Sequence, residues 1–310
     1  MRLFGFGGSA EDAAARERRE ASVTSLERGG LPLNAVDRLR EQSGKQNTPE
    51  HLFTSNLSVG EALLTRAAGY VPLGQVMGST VYHIGWQWTP SYSGMSGELE
   101  TLTQAFYAAR HRALGRLQQE AALLGATGVV GVRLERTTCE WGASLLEFAA
   151  MGTAIRENDL DPAAGKDAKP FLSDLSGDQF WLLRQGGYRP IGIAIGNTSF
   201  YQVAGWNTQQ ITQGGFLGGS WQNVEITEFT QSLYDARSIA MGRMEADARA
   251  VDAEGIVGVT VDIEAKPHEI GSDNSKRIVM LYHITGIGTA IAPCRPALRV
   301  DDVKIVVPLR

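Results

Sequence analysis

Residues 103–117 read TQAFYAARHRALGRL, and residues 230–244 read TQSLYDARSIAMGRM. Each carries apolar or small residues at spacings of three and four, the mark of a helix with one buried face. The first stripe runs Leu99, Leu102, Phe106, Ala109, Ala113, Leu117, Ala121, Leu124. The second runs Ile226, Phe229, Leu233, Ala236, Ala240, Met244, Ala248, Val251. The spacing predicts a helix of roughly 27 residues, about 40 Å long, at both places. A long helix written twice directs attention to the chain on either side of it, because an internal repeat decides the architecture.

The flanks repeat as well. Upstream, FTSNLSVGEALLTRAAGYVPLGQVMGST from Phe53 matches FLSDLSGDQFWLLRQGGYRPIGIAIGNT from Phe171, an offset of 118 residues. At the helices the offset is 127. Downstream, GVVGVRLE at 128–135 matches GIVGVTVDIE at 255–264, and MGTAI at 151–155 matches IGTAI at 287–291. The offset only grows, so insertions fall in loops and the order of elements is kept.

Local signals agree between the copies. Ser58 with Glu61 and Ser176 with Gln179 read as capping boxes at the start of a short helix. Gly69 and Gly187 stand where that helix stops, and Pro72 and Pro190 lie near the start of the next strand. The glycines of GVVGVRLE invite a phosphate-loop reading, but phosphate loops follow a strand and precede a helix. Here the order is reversed. Gly128 and Gly255 therefore read as helix-to-strand exits, and Gly131 and Gly258 as a bulge or a close backbone approach. Each copy reads short helix, strand, long helix, strand, strand: an α+β layer with one helix covering a small sheet.

Five segments result: a polar, weakly helical and partly mobile extension at 1–50, a first domain at 51–156, a linker at 157–169, a second domain at 170–293, and a tail at 294–310 that reads as one added strand. The net charge of −5 excludes a long-range pull towards nucleic acid or acidic membranes. Two cysteines, Cys139 and Cys294, form no CxxC pair, which argues against a disulfide framework and suits a reducing compartment. No apolar run has signal-peptide or membrane-spanning length, so the expectation is a soluble, cytoplasmic protein with neither nucleic-acid nor membrane partners.

With these motifs in place, both halves resemble the YbjQ-like family, labelled heavy-metal-binding. The likeness rests on the helix register YxARxxAxGRL, the exit into GxVGV and the closing GTAI strand, and covers most of residues 52–156 and 171–292. The resemblance implies tandem β-α-β-β domains, somewhat like dodecin subunits, that build pentameric rings. Five being odd, two kinds of domain cannot alternate in one such ring. A stack of two pentameric rings is then favoured, and an even ring with alternating domains is the competing geometry.

The family label implies metal ligands. Of His51, His83, His111, His268 and His283, only His283 has a clear counterpart, Glu147, of a different type. No set of three or four ligands with metal spacing is visible, and the expectation is no metal site and no cofactor. The glycine-rich stretches at 91–100 and 214–225 precede the long helices, but Glu98 and Glu225 at the helix entrances would repel a bound anion. No catalytic arrangement is suggested by residue order, so the protein reads as non-enzymatic. Arg110, Arg237, Arg116 and Arg243 lie on what reads as the polar side of the helix, as salt-bridge formers. Trp86 and Trp206 read as core or subunit-interface packing, with a stacking pocket for a flat, flavin-like ligand as the sharper alternative. These residues, Trp86, Trp206, Arg110 and Arg237, are the candidates for an interface. The extension and the C-terminal tail are candidates for contact with other proteins. The function expected is a ring-forming homo-oligomeric scaffold, with a metal-ion or small-molecule carrier as the alternative.

Overall fold

A computed structural model describes residues 10–45, 53–83, 96–138, 145–158, 169–213, 223–271 and 277–294. The N-terminal extension forms α1 (Ala10–Glu27) and α2 (Leu33–Lys45). Copy one follows as α3 (Val59–Ala67), β1 (Tyr70–His83), β2 (Gly97–Glu98), α4 (Glu100–Leu123), β3 (Gly128–Thr138) and β4 (Leu145–Glu157). Copy two is β5 (Phe171–Leu172), α5 (Gly177–Gln185), β6 (Tyr188–Val203), α6 (Trp206–Gln213), α7 (Thr227–Arg249), β7 (Gly255–Ile270) and β8 (Arg277–Pro293).

Two four-stranded sheets result, ordered β1-β4-β3-β5 and β2-β6-β8-β7. In each, three long antiparallel strands come from one copy and the short outer strand comes from the other. β5 runs parallel to β3, with Gly128 opposite Phe171, and β2 runs antiparallel to β6, with Gly97 opposite Tyr201. The α+β layer predicted from the repeat is present twice, and the copies exchange one strand each.

The long helices hold 24 and 23 residues, shorter than the apolar stripes suggest. Leu99 and Ile226 stand just outside, at φ −89°, ψ 78° and φ −88°, ψ 85°, so the stripe begins one residue before the helix. Every stripe position of copy one is buried; in copy two Val251 lies past the helix end and is 48% exposed. Gly131 and Gly258 have φ of 63° and 67°, and the β3–β4 and β7–β8 registers shift there. Both are bulges held by a residue without Cβ.

Helix and sheet touch at Gly78 and Gly196. A Cβ on Gly196 would lie 2.7 Å from the Met244 amide and closer still to the Ala240 carbonyl. A Cβ on Gly78 would meet the Ala113 carbonyl and the Leu117 amide in the same way. The helix backbone thus rests on strand backbone, a spacing open only to glycine.

The extension is more ordered than its sequence suggests. α1 and α2 form a hairpin against α4, where Leu39 is fully buried and Arg38 pairs with the Glu120 carboxylate at 3.1 Å. α6 was not foreseen from the sequence. The added strand expected at 294–310 lies, beyond Cys294, outside the described residues. Among the described residues no helix is long and apolar enough to cross a membrane.

Gly196→Ala should cost about 3 kcal/mol, because Cβ meets backbone that cannot rotate away. Gly242→Ala, in α7 with nothing within 4 Å of the added carbon, should gain up to ~1 kcal/mol from helix propensity. Urea denaturation of the two variants separates close approach from intrinsic helix preference.

Candidate assembly interface

Copy one presents α4 and the β2 turn to the outer edge of β6. The contact begins with backbone: Leu99 N–H donates to the Ser199 carbonyl at 2.7 Å, extending the β2–β6 pairing by one bond. Thr103 adds a second layer, its hydroxyl accepting the Ser199 amide at 2.9 Å while its carbonyl accepts the Asn197 side-chain amide at 3.2 Å. The hydroxyl of half-buried Tyr107, four residues and one turn further along α4, donates to the Ile195 carbonyl. Ile195, Tyr201 and Val203 of copy two are buried in the same apolar cluster as Phe106, Leu117 and Phe148 of copy one. The two copies share one core.

Glu98 is the charged centre of this contact. Its carboxylate takes both Nη1 and Nη2 of Arg243, the latter at 2.9 Å, together with the hydroxyls of Thr103 and Thr198, each at 2.9 Å. Burial pushes its pKa up, but the hydrogen bonds from Arg243, Thr103 and Thr198 outweigh this, and the pKa falls below the ordinary value. At the sequence level Glu98 served only as an objection to anion binding, and its pairing across copies was not legible.

A second polar group lies deeper. Arg110 was read as lying on the polar side of its helix, yet it is only 5% exposed. The helix has two buried faces, one on its own sheet and one on the neighbouring copy, so a position polar in periodicity is internal. Its guanidinium lies over the rings of Phe106 and Phe148, at 5.3 and 5.0 Å, and Nη2 donates to Thr285 Oγ1 at 2.7 Å. Burial, reinforced by nearby Arg136, lowers its pKa to about 10. Arg136 pairs with Glu264 of copy two; burial raises the Glu264 pKa, but hydrogen bonds from Lys266 and Arg136 bring it down to about 2. Against this group sits His283, its ring 5.2 Å from that of Phe106 and its Nδ1 3.0 Å from Ser199 Oγ. Burial holds its pKa down at about 4, with Arg136, Lys266 and Arg110 lowering it and Glu264 opposing.

The other sequence candidates fall elsewhere. Arg237, the counterpart of Arg110, is exposed. Trp206 opens α6 and is 74% exposed, so it takes no part in the core of its own chain. Trp86 lies outside the described residues. Among the described residues no three His, Cys, Asp or Glu side chains gather as a metal site would require.

Comparison with known proteins agrees with the duplicated architecture. The YbjQ family profile, described as "Putative heavy-metal-binding", matches residues 65–158 and again residues 216–292. An encapsulin nanocompartment protein of Mycobacterium tuberculosis is 39% identical over 213 residues, covering 68% of this chain and 78% of that protein. A UPF0145 protein of Clostridium perfringens is 37% identical over 89 residues, covering 28% of this chain and 82% of its own length. A UPF0145 protein of Archaeoglobus fulgidus is 40% identical over 87 residues, covering 27% and 79% respectively.

Two outcomes test this interface. Glu98→Ala should lose about 2 kcal/mol of stability, since Arg243 and two hydroxyls lose their acceptor together; urea denaturation reads it. His283 takes its proton near pH 6.5 when unfolded and near about 4 when folded. Its contribution is therefore complete above pH ~6.5 and declines as pH falls towards 4. The urea midpoint should drop between pH 7.5 and 5, and His283→Gln should flatten that part of the profile.

Proposed function

The chain belongs to the YbjQ family, carrying the family domain twice, and from that premise we propose that it is a non-enzymatic scaffold that closes head to tail into a homo-oligomeric ring. The observation that carries this reading is the contact inside the chain: α4 and β2 of copy one meet the β6 edge of copy two, while β5 of copy two meets the β3 edge of copy one. The two surfaces differ, so the contact is heterologous and can repeat from chain to chain.

Among the described residues the matching surfaces of α7, β1 and β7 have no such neighbouring copy. Tyr234, the counterpart of Tyr107, is 63% exposed, and Met77, the counterpart of Ile195, is 47% exposed. Val259 is 40% exposed, whereas its counterpart Val132 is 5% exposed beneath the exchanged segment. A Cβ on Gly128 would collide with the Phe171 ring, whereas one on Gly255 would meet only Ile291, at 3.9 Å; Phe53, the counterpart of Phe171, is 38% exposed. Among the described residues β1 and β7 are edge strands without an outer partner, and open edges invite pairing.

Repeating the contact alternates the two copies around the ring, which favours an even number of domains over two stacked pentameric rings. Stacking would set the copies face above face, not edge to edge through shared sheets. Trp206 is proposed to be covered when chains meet. The Mycobacterium tuberculosis relative carries the name of a nanocompartment protein. We extend that to this chain as a component of a protein compartment, with the N-terminal extension or the C-terminal tail meeting other components. The carrier alternative has no comparable support in the geometry.

Sedimentation of the full-length chain at micromolar concentration tests the ring. The expected result is one species at a fixed multiple of 33.5 kDa whose mass does not change with dilution. A single-chain mass throughout would overturn the reading, and a broad ladder of masses would replace the ring by an open filament.

A further inference from the structure

The repeat sets Arg116 of copy one against Arg243 of copy two, and their anchoring is the same. Arg116 Nη1 donates to the Ser79 carbonyl at 2.6 Å, and Arg243 Nη1 to the matching Asn197 carbonyl at 3.0 Å. One turn further along each helix, Glu120 accepts the Met77 amide and Asp247 the Ile195 amide, both at 2.9 Å. The remaining donors differ. Arg243 takes the Glu98 carboxylate of the other copy, whereas Arg116 donates Nε to the Gly30 carbonyl at 3.1 Å and Nη2 to the Leu26 carbonyl at 3.0 Å. Both carbonyls belong to the α1–α2 hairpin, which therefore stands on copy one where a neighbouring domain stands on copy two.

A carboxylate equivalent to Glu98 is present at the other end of the chain. Glu225 is exposed and accepts the Thr230 hydroxyl at 2.8 Å, as Glu98 accepts that of Thr103. The residues that follow, Leu99 and Ile226, share backbone geometry, so Glu225 is held in the same pose at the entrance of α7. No ion pair to Glu225 is found among the described residues.

Resting on the ring reading, we propose that Glu225 and the free face of α7 dock on the Arg116 side of β1 in a second copy of this chain, displacing that copy's α1–α2 hairpin. The hairpin is held by few buried side chains and by polar bonds from Arg116, from Gln119 to the Gly29 carbonyl at 3.1 Å, and from Arg38 to Glu120. None of residues 12–27 is buried, and Leu31 and Leu39 are the buried apolar side chains between α1 and the end of α2. A groove of about 930 Å³ separates the hairpin from β1 along Met77–His83, the stretch whose outer edge a strand like β2 would occupy. A carboxylate can take two guanidinium N–H groups at once and neutralise the charge, as Glu98 does at Arg243, so the exchange would replace two neutral acceptors at Arg116 by a charged one. Segments with few buried contacts open most readily.

Charge reversal and hydrogen exchange on the full-length chain test this. Glu225→Arg and Arg116→Glu should each lower the assembled fraction at least tenfold at fixed concentration, and mixing the two variants should restore it. In wild type, amides 26–39 should exchange at least tenfold faster in assemblies than in single chains, with those of residues 113–117 slow in both. Arg38→Glu, which sets two carboxylates together at the hairpin's anchor, should raise the assembled fraction. If assemblies form but amides 26–39 stay equally protected, or the mixture is not restored, the hairpin proposal fails and the ring stands. If neither wild type nor Arg38→Glu assembles, the ring reading fails first and takes this proposal with it.

Discussion

In each copy the backbone of one long helix lies directly on a strand glycine, Gly78 under α4 and Gly196 under α7. Everything that follows depends on that spacing. At any larger separation Glu120 and Asp247 would not reach the Met77 and Ile195 amides, and Arg116 and Arg243 would not reach the Ser79 and Asn197 carbonyls. Helix side chains therefore lock to strand backbone at the sheet's outer edge, where copy one packs on copy two at β6. The arginine fixed there has donors to spare, and these face whatever packs against that edge.

Duplication followed by packing makes two equal units unequal. The same helix motif puts Arg110 in the shared core over two aromatic rings and leaves Arg237 exposed, because among the described residues copy one has a neighbour on that side and copy two does not. The same arginine hook closes on Glu98 in one copy and on hairpin carbonyls in the other. The bulged strands differ in the same way: β3 is covered by the segment that carries β5, and β7 runs largely exposed. These contrasts come from position in the chain, not from residue type.

Buried Arg110, with half-buried Arg136, Glu264 and His283 beside it, illustrates the cost of a shared interior. Charges taken from water need partners, and here they find aromatic faces, a threonine and each other, while Arg110 Nη1 has no hydrogen-bond partner among the described residues. Glu147 stands where copy two has His283, and both are half-buried. A pairing of such residues gives no periodic signal, and nothing in the one-dimensional pattern distinguishes it from a solvated face.

The sequence by itself determined the duplicated α+β unit, the order of its elements, the buried stripes of both helices and the bulges at Gly131 and Gly258. These are local: periodicity, caps and backbone conformations are set within one turn or one strand of the residues that specify them. Only the tertiary structure decided that the copies exchange strands, that α4 is buried on two faces, that Glu98 belongs to Arg243, and that the extension folds onto Arg116. Each of those facts joins residues tens to more than a hundred positions apart. The repeat writes both halves alike, so it cannot say which half meets which; excluded volume and chain connectivity settle that.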